Sequence, residues 1–96
     1  MTEKEFLAAV TELAGYTGLL VYHTYDSRRS DPGFPDLVLA GGRGVIFAEL
    51  KTEHGELSSA QVTWKWRLLA AHCNWKLWRP AQLQSGLILR DMKGIA

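Results

Sequence analysis

The sequence predicts a small mixed α/β domain in which helices flank a modest central sheet. Three observations carry that reading. Two segments with helical spacing each open on a capping box, three short apolar runs rich in β-branched or aromatic residues follow one another between them, and a fourth run, "WKLW", comes after the second helix. The order of helix, three strands, helix, strand and short terminal helix is not a clean βαβ repeat.

The first helix is expected over residues 3 to 17. Phe6, Val10, Leu13 and Ala14 recur at helical spacing, and Thr2 with Glu5 three residues later forms the capping box. Gly15 and Gly18 close it, and "LLVYHTY" then reads as a strand over roughly 19 to 25. "DSRRSDPG" is a polar loop. "DLVLA" and "VIFAELK" are short apolar strands whose "GGRG" connection is short enough for an antiparallel hairpin. After the loop "TEHGEL", Ser58 and Gln61 form a second capping box, from which a helix runs to about residue 72 without a breaker. Pro80 suits the first turn of a last helix, whose continuation past Gly86 into "LILRDM" is the weakest part of the pattern.

Composition narrows the function classes. The 96 residues make one domain, small enough that a single core is marginal and self-association is unsurprising. No apolar run is long enough to span a bilayer and "MTEKEF" lacks the apolar centre of a signal peptide, so a cytoplasmic chain is the default expectation. The single Cys73 permits neither an internal disulfide nor a thiolate zinc site. With a formal net charge of +1, any nucleic-acid surface must be a local patch, and Arg28-Arg29 is the obvious cluster.

The chemistry concentrates in residues 33 to 55, "GFPDLVLAGGRGVIFAELKTEHG". Alternate strand residues share a face, so Glu49 and Lys51 project together while Leu50 points away. If the preceding strand starts at Asp36, hairpin pairing brings a second carboxylate to the same end of the sheet. Two such carboxylates raise each other's proton affinity unless a cation separates them, and hard oxygen ligands suit magnesium or manganese. A lysine beside that ion can orient water or stabilise developing negative charge, which is the equipment for phosphodiester hydrolysis. For an isolated "ELK" the bland alternative, an exposed pair at a strand end with Asp36 capping a turn, would be the better bet.

The surrounding string shifts that balance. "PD" followed at hairpin distance by "ELK" resembles the PD-(D/E)XK nuclease motif, and "YHTYDSRRSDPGFPDLVLAGGRGVIFAELKTEHGELSSAQVTWKWRLL" is similar to the stand-alone VRR-NUC branch of that superfamily, of phage or bacterial type. The similarity extends to the opening helix and to "LWRP". It implies a restriction-endonuclease-like core, a divalent metal, and cleavage of branched DNA such as four-way (Holliday) junctions, often by a homodimer. Under this resemblance Asp36 and Glu49 match the metal-binding acids, Lys51 the catalytic lysine, and the main-chain carbonyl of Leu50 a further ligand. Whether one ion or two acts stays open.

Gln61 matches the glutamine of the following helix, expected to support the active site or touch the phosphate backbone. Its competing role is the Ser58 capping box, and a helix side chain is expected to serve only one of the two. The family's first-helix glutamate has two candidates. Glu5 is occupied by its cap and Glu3 lies on the Phe6, Val10, Leu13 stripe, so Glu3 is preferred. Ser27, Arg28 and Arg29 match a polar segment of this branch and suit phosphate contacts, with a solvated loop as the alternative. His23 either approaches the scissile phosphate or is a hydrogen-bonded strand histidine, the commoner case. His54 and His72 read as surface residues.

The tryptophan-rich helix carries two apolar faces, Ala60, Trp64, Leu68, Ala71 and Val62, Trp66, Leu69, Cys73, with Gln61, Lys65 and His72 between them. One face can cover the sheet. The other needs either the terminal helix or a second subunit. For Trp64 and Trp66 core packing is the better expectation than base stacking, and Lys65 is a candidate DNA contact. Two rival functions exist: a non-catalytic nucleic-acid-binding or assembly subunit that keeps the nuclease fold, and a protein-interaction domain using the Trp-rich helix. The complete set of Asp36, Glu49 and Lys51 argues against the first.

Overall fold

The computed structural model describes residues 1–24 and 29–96. In chain order the elements are α1 (Glu3–Tyr16), β1 (Leu20–His23), β2 (Leu37–Gly41), β3 (Gly44–Leu50), α2 (Ser59–Ala70), β4 (Asn74–Trp78), α3 (Pro80–Gln84) and α4 (Leu87–Ile95). Among the described residues the strands form one sheet in the order β1-β2-β3-β4. The pairs β1–β2 and β2–β3 are antiparallel, whereas β4 joins β3 in parallel, so α2 is the crossover that this reversal requires. The sheet is therefore mixed, as expected.

Both capping boxes form. Thr2 Oγ1 accepts from Glu5 N at 3.1 Å while Glu5 Oε1 accepts from Thr2 N at 2.8 Å. Ser58 and Gln61 repeat the arrangement at α2. Helix α1 ends in a Schellman motif, with Leu19 N donating to Ala14 O and Gly18 N to Gly15 O. Gly15 therefore lies inside the last turn rather than ending the helix.

Helix α2 stops at Ala70, two residues short of the expectation. His72 adopts φ 63°, and Cys73 N donates to Leu68 O at 2.9 Å, turning the chain directly into β4. No glycine marks that stop, so composition conceals it. At the other end of the chain Gly86, at φ 85°, splits the expected terminal helix into α3 and α4. A side chain would be strained there, and the bend is what turns Ile88, Met92 and Ile95 onto the core.

One sheet face carries the core. Leu37, Leu39, Ile46, Ala48 and Trp78 pack with Phe6, Val10 and Ala14 of α1 and with Ile88, Met92 and Ile95 of α4. Burying each large side chain of this set contributes roughly 1.5–3 kcal/mol. Trp78 completes its burial by donating Nε1–H to Asp91 Oδ2 at 3.0 Å. Because α4 packs here, it cannot also cover the outer face of α2. Val62, Trp66 and Leu69 remain exposed, Trp66 at 60%.

The expectation of core packing is thus corrected for Trp66, which belongs to the solvent-facing side of its helix. Trp64 does pack inward. Its ring meets Phe34 edge to face at 5.0 Å, Phe34 meets Phe47 in turn at 6.3 Å, and its Nε1–H donates to Pro32 O. Through these contacts α2 lies on the second sheet face, over Phe47. Part of that face is uncovered, with Leu20 77% and Tyr22 62% exposed on edge strand β1 and Val45 exposed on β3.

Candidate active site

Asp36 is delivered by a short tightly packed approach. Pro35 is fully buried, Thr24 N donates to Asp36 O at 3.0 Å, and a side chain at Gly33 would collide with the main chain of Ala60 at the start of α2. The register pairs Leu37 with Ala48, so one position further Asp36 stands beside Glu49. The Asp36 carboxylate accepts from Leu50 N at 2.9 Å, which fixes it across the end of β3.

Glu49 is only 2% exposed and, among the described residues, is the only buried charged or polar side chain. Burial, and after it the Asp36 carboxylate, push its acid up from about 4.5 to about 8, and the charge of Lys51 opposes the rise. A carboxylic acid held at this depth next to another is the pattern of two like charges sharing a site.

Gln61 makes both of the contacts that were expected to exclude one another. Its Oε1 accepts from Ser58 N at 2.8 Å while its Nε2 donates to Glu49 Oε1 at 2.9 Å. An amide has an acceptor at one end and donors at the other, so one side chain caps α2 and holds Glu49 at the same time.

Lys51 is the first residue beyond β3, and its N–H donates to Trp78 O at 3.1 Å, prolonging the parallel pairing. Asp36, Glu49, Leu50, Lys51 and Gln61 line one cleft of about 460 Å³, which Glu3, Lys4, Phe6, Leu7 and His23 close from the other side. Leu50 turns its side chain to the core, as strand alternation requires, so only its main chain is suited to serve the cleft. Glu3 is in the lining and Glu5 is held in its cap, the division the sequence suggested.

Lys4 was not singled out from sequence. The signal was present, since it neighbours Glu3 in the first turn of α1, but nothing in the sequence placed that turn beside β3. A groove of about 860 Å³ between α1 and β1 adjoins the cleft and shares Leu7 and His23 with it. Arg29 lines this groove rather than the carboxylate cleft. Ser27 and Arg28 lie outside the described residues.

Lys65 stands apart from both cavities. Its ammonium lies over the rings of Trp66 and Trp75, 4.9 and 5.2 Å from their centroids. His54 and His72 are exposed, as expected.

The two carboxylates fit a small hard cation. Magnesium and manganese use one or two carboxylates and complete their shells with carbonyl, water or phosphate oxygens. No group of three or more His, Cys, Asp or Glu side chains gathers to hold a metal among the described residues. The residues of the cleft that could hold such an ion are Asp36 and Glu49, with the main-chain carbonyl of Leu50.

No protein-family model and no curated protein matches this sequence. Among solved structures, one described as a VRR_NUC domain superposes with a TM-score of 0.72 at 24% identity, over 88% of this chain and 92% of its own. The chain has the VRR-NUC fold, in agreement with the resemblance carried by "PD" and "ELK". No helix among the described residues is long and apolar enough to cross a membrane.

Proposed function

We propose that this protein is a divalent-metal-dependent DNA endonuclease that hydrolyses phosphodiester bonds in branched DNA such as four-way junctions, and that it works as a homodimer. The observation that carries the reading is the buried Glu49 beside Asp36 at the end of β3, with Lys51 lining the same cleft. Asp36, Glu49 and the Leu50 carbonyl would hold magnesium or manganese. When bound, such an ion polarises a phosphate oxygen and lowers the pKa of water.

The protein's own groups have separable tasks. Gln61 keeps Glu49 aimed into the cleft, and the Leu50 N–H keeps Asp36 opposite it. Lys51 orients the attacking water and stabilises negative charge that develops on the phosphate. Glu3 supplements the acids from α1. Arg29 and His23, on the adjoining groove, suit the path of a DNA strand towards the acids.

The test is a panel of labelled linear, flapped and four-way DNA substrates incubated with magnesium or manganese. Cleavage of branched substrates is expected with metal and absent with chelator. Metal-independent binding without cleavage of any substrate would instead make the chain a nucleic-acid-binding subunit.

Self-association is supported by the uncovered apolar surfaces. Leu20, Tyr22 and Val45 on one sheet face and Val62, Trp66 and Leu69 on α2 are exposed. Exposed apolar side chains of this kind suit an interface, and a two-fold pair buries both copies at once. Two active sites on one body would also suit coordinated cutting of both strands of a symmetric junction. Light scattering at micromolar concentration is expected to give twice the 10.8 kDa chain mass. A monomer mass, unchanged by junction DNA, would rule the dimer out.

A further inference from the structure

We infer that Arg79 is a positioning residue, holding residues 52 to 55 in place and through them aiming Lys51 into the carboxylate cleft. The inference rests on the nuclease reading above. Lys51 follows the last paired position of β3, so the sheet controls its backbone only through the N–H bond to Trp78 O. Beyond it the chain has no helix or strand until α2 begins at Ser59. Something else must fix where the lysine stem starts.

Arg79 directly follows Trp78, at the end of the strand that pairs with Leu50. Its Nη1 donates to Thr52 O at 2.6 Å and to Gly55 O at 2.8 Å, with Glu53 O further off at 3.4 Å. Three main-chain carbonyls of one short segment thus converge on one guanidinium nitrogen. These are charge-assisted bonds in a half-buried setting, stronger than neutral ones.

A second tie runs the other way. Glu53 Oε1 accepts from Ala81 N at 2.7 Å, so the tip of the segment is also fastened to the start of α3. The pinned segment folds back over the lysine: a β-carbon at Gly55 would sit 3.1 Å from Thr52 Oγ1 and 3.5 Å from Lys51 Cδ. The stem of Lys51 therefore leaves a backbone held on one side by β4 and lies against a segment held by Arg79. Lysine has a long flexible side chain, and a shift of about 1 Å in a reacting group can cost about 100-fold in rate. Arg79 need not touch substrate to matter.

The experiment uses the full chain with Arg79→Met, which removes the donors, and Arg79→Lys, which keeps the charge but not the fork. Single-turnover cleavage of the best substrate of the panel is measured alongside manganese affinity, melting temperature and backbone NMR order parameters. Arg79→Met is expected to slow cleavage by about 10- to 100-fold with manganese affinity within about threefold, and Arg79→Lys to fall between it and the wild type. In a Lys51→Ala background, followed over days, the same Arg79→Met change should cost less than about twofold, because the group it aims is already gone. Backbone order parameters of residues 52 to 55 should fall from about 0.85, the rigid value, to below about 0.6, while those of Leu39 and Ile46 hold.

An unchanged cleavage rate overturns the inference. So does an equal loss in the Lys51→Ala background, which would mean that Arg79 acts independently of the lysine. A wild-type chain that cuts no substrate would sink the nuclease reading instead; the order parameters of 52 to 55 then judge the pinning alone, and unchanged values there would overturn it.

Discussion

Lys51→Ala is expected to slow single-turnover cleavage by roughly two or more orders of magnitude, while manganese and DNA affinities stay within about threefold of the wild type. The asymmetry follows from where the side chain sits. It lines the cleft but is no oxygen ligand, and it starts one residue beyond β3, so removing it leaves Asp36, Glu49 and the Leu50 N–H in place. Under the proposed mechanism an ammonium there acts on charge that appears only as the phosphate reacts. Its loss therefore falls on the rate, not on binding. Stopped-flow or quenched-flow cleavage with labelled junction DNA, set beside manganese titration of the same variant, separates the two quantities. A variant that cuts at near wild-type speed would remove Lys51 from the mechanism, and one that loses manganese in proportion to its rate would make it a contributor to the metal site.

Glu49→Gln should abolish cleavage and weaken manganese binding severely, yet stabilise the metal-free fold at alkaline pH. Glu49 is buried with its acid raised to about 8 by desolvation and then by Asp36. The sign follows from proton linkage. Above the unfolded value near 4.5 the unfolded chain has lost this proton while the folded chain keeps it, so stability falls as pH rises and the loss is complete above about 8. The size is on the order of a few kcal/mol, since each tenfold change in proton affinity on folding is worth about 1.4 kcal/mol.

Glutamine is neutral and close in shape, and its Oε1 can still accept from Gln61. The variant should therefore lose most of this slope between about pH 5 and 8 and melt above the wild type at pH 9 in chelator. Metal reverses the order. Because binding requires the ionised acid, manganese affinity of the wild type should rise with pH up to about 8 and then level off. Equal pH slopes in the two proteins would show that Glu49 is not the group responsible. Under the proposed function the balance is that of a group costly to bury and kept for the chemistry it enables.

Much of the local structure could be read from the sequence because its determinants are local. The capping boxes at Thr2–Glu5 and Ser58–Gln61 are three-residue patterns whose hydrogen bonds form within one turn, and both form as read. The antiparallel pairing of β2 with β3 follows from the shortness of "GGRG", and strand alternation then brings Asp36 to Glu49. Where stop signals departed from the common residue types, the reading slipped. His72 takes a left-handed conformation usually given to glycine or asparagine, so α2 ended earlier than its composition suggested.

Long-range placement was beyond local patterns. The sequence by itself marked Asp36, Glu49, Lys51 and Gln61 as candidates, and it determined that a short hairpin would bring the acids together and that Gln61 would cap α2, because those relations are set by alternation, turn length and helix capping. Only the tertiary structure decided that Glu3 and Lys4 close the cleft from α1 and that α4 goes to the core and leaves Trp66 in solvent. It alone decided that Gln61 uses both ends of its amide and that Arg79 gathers the carbonyls beyond Lys51. These depend on which face of the sheet each helix covers. That choice is made by the summed burial of residues far apart in the chain, a quantity with no local signature.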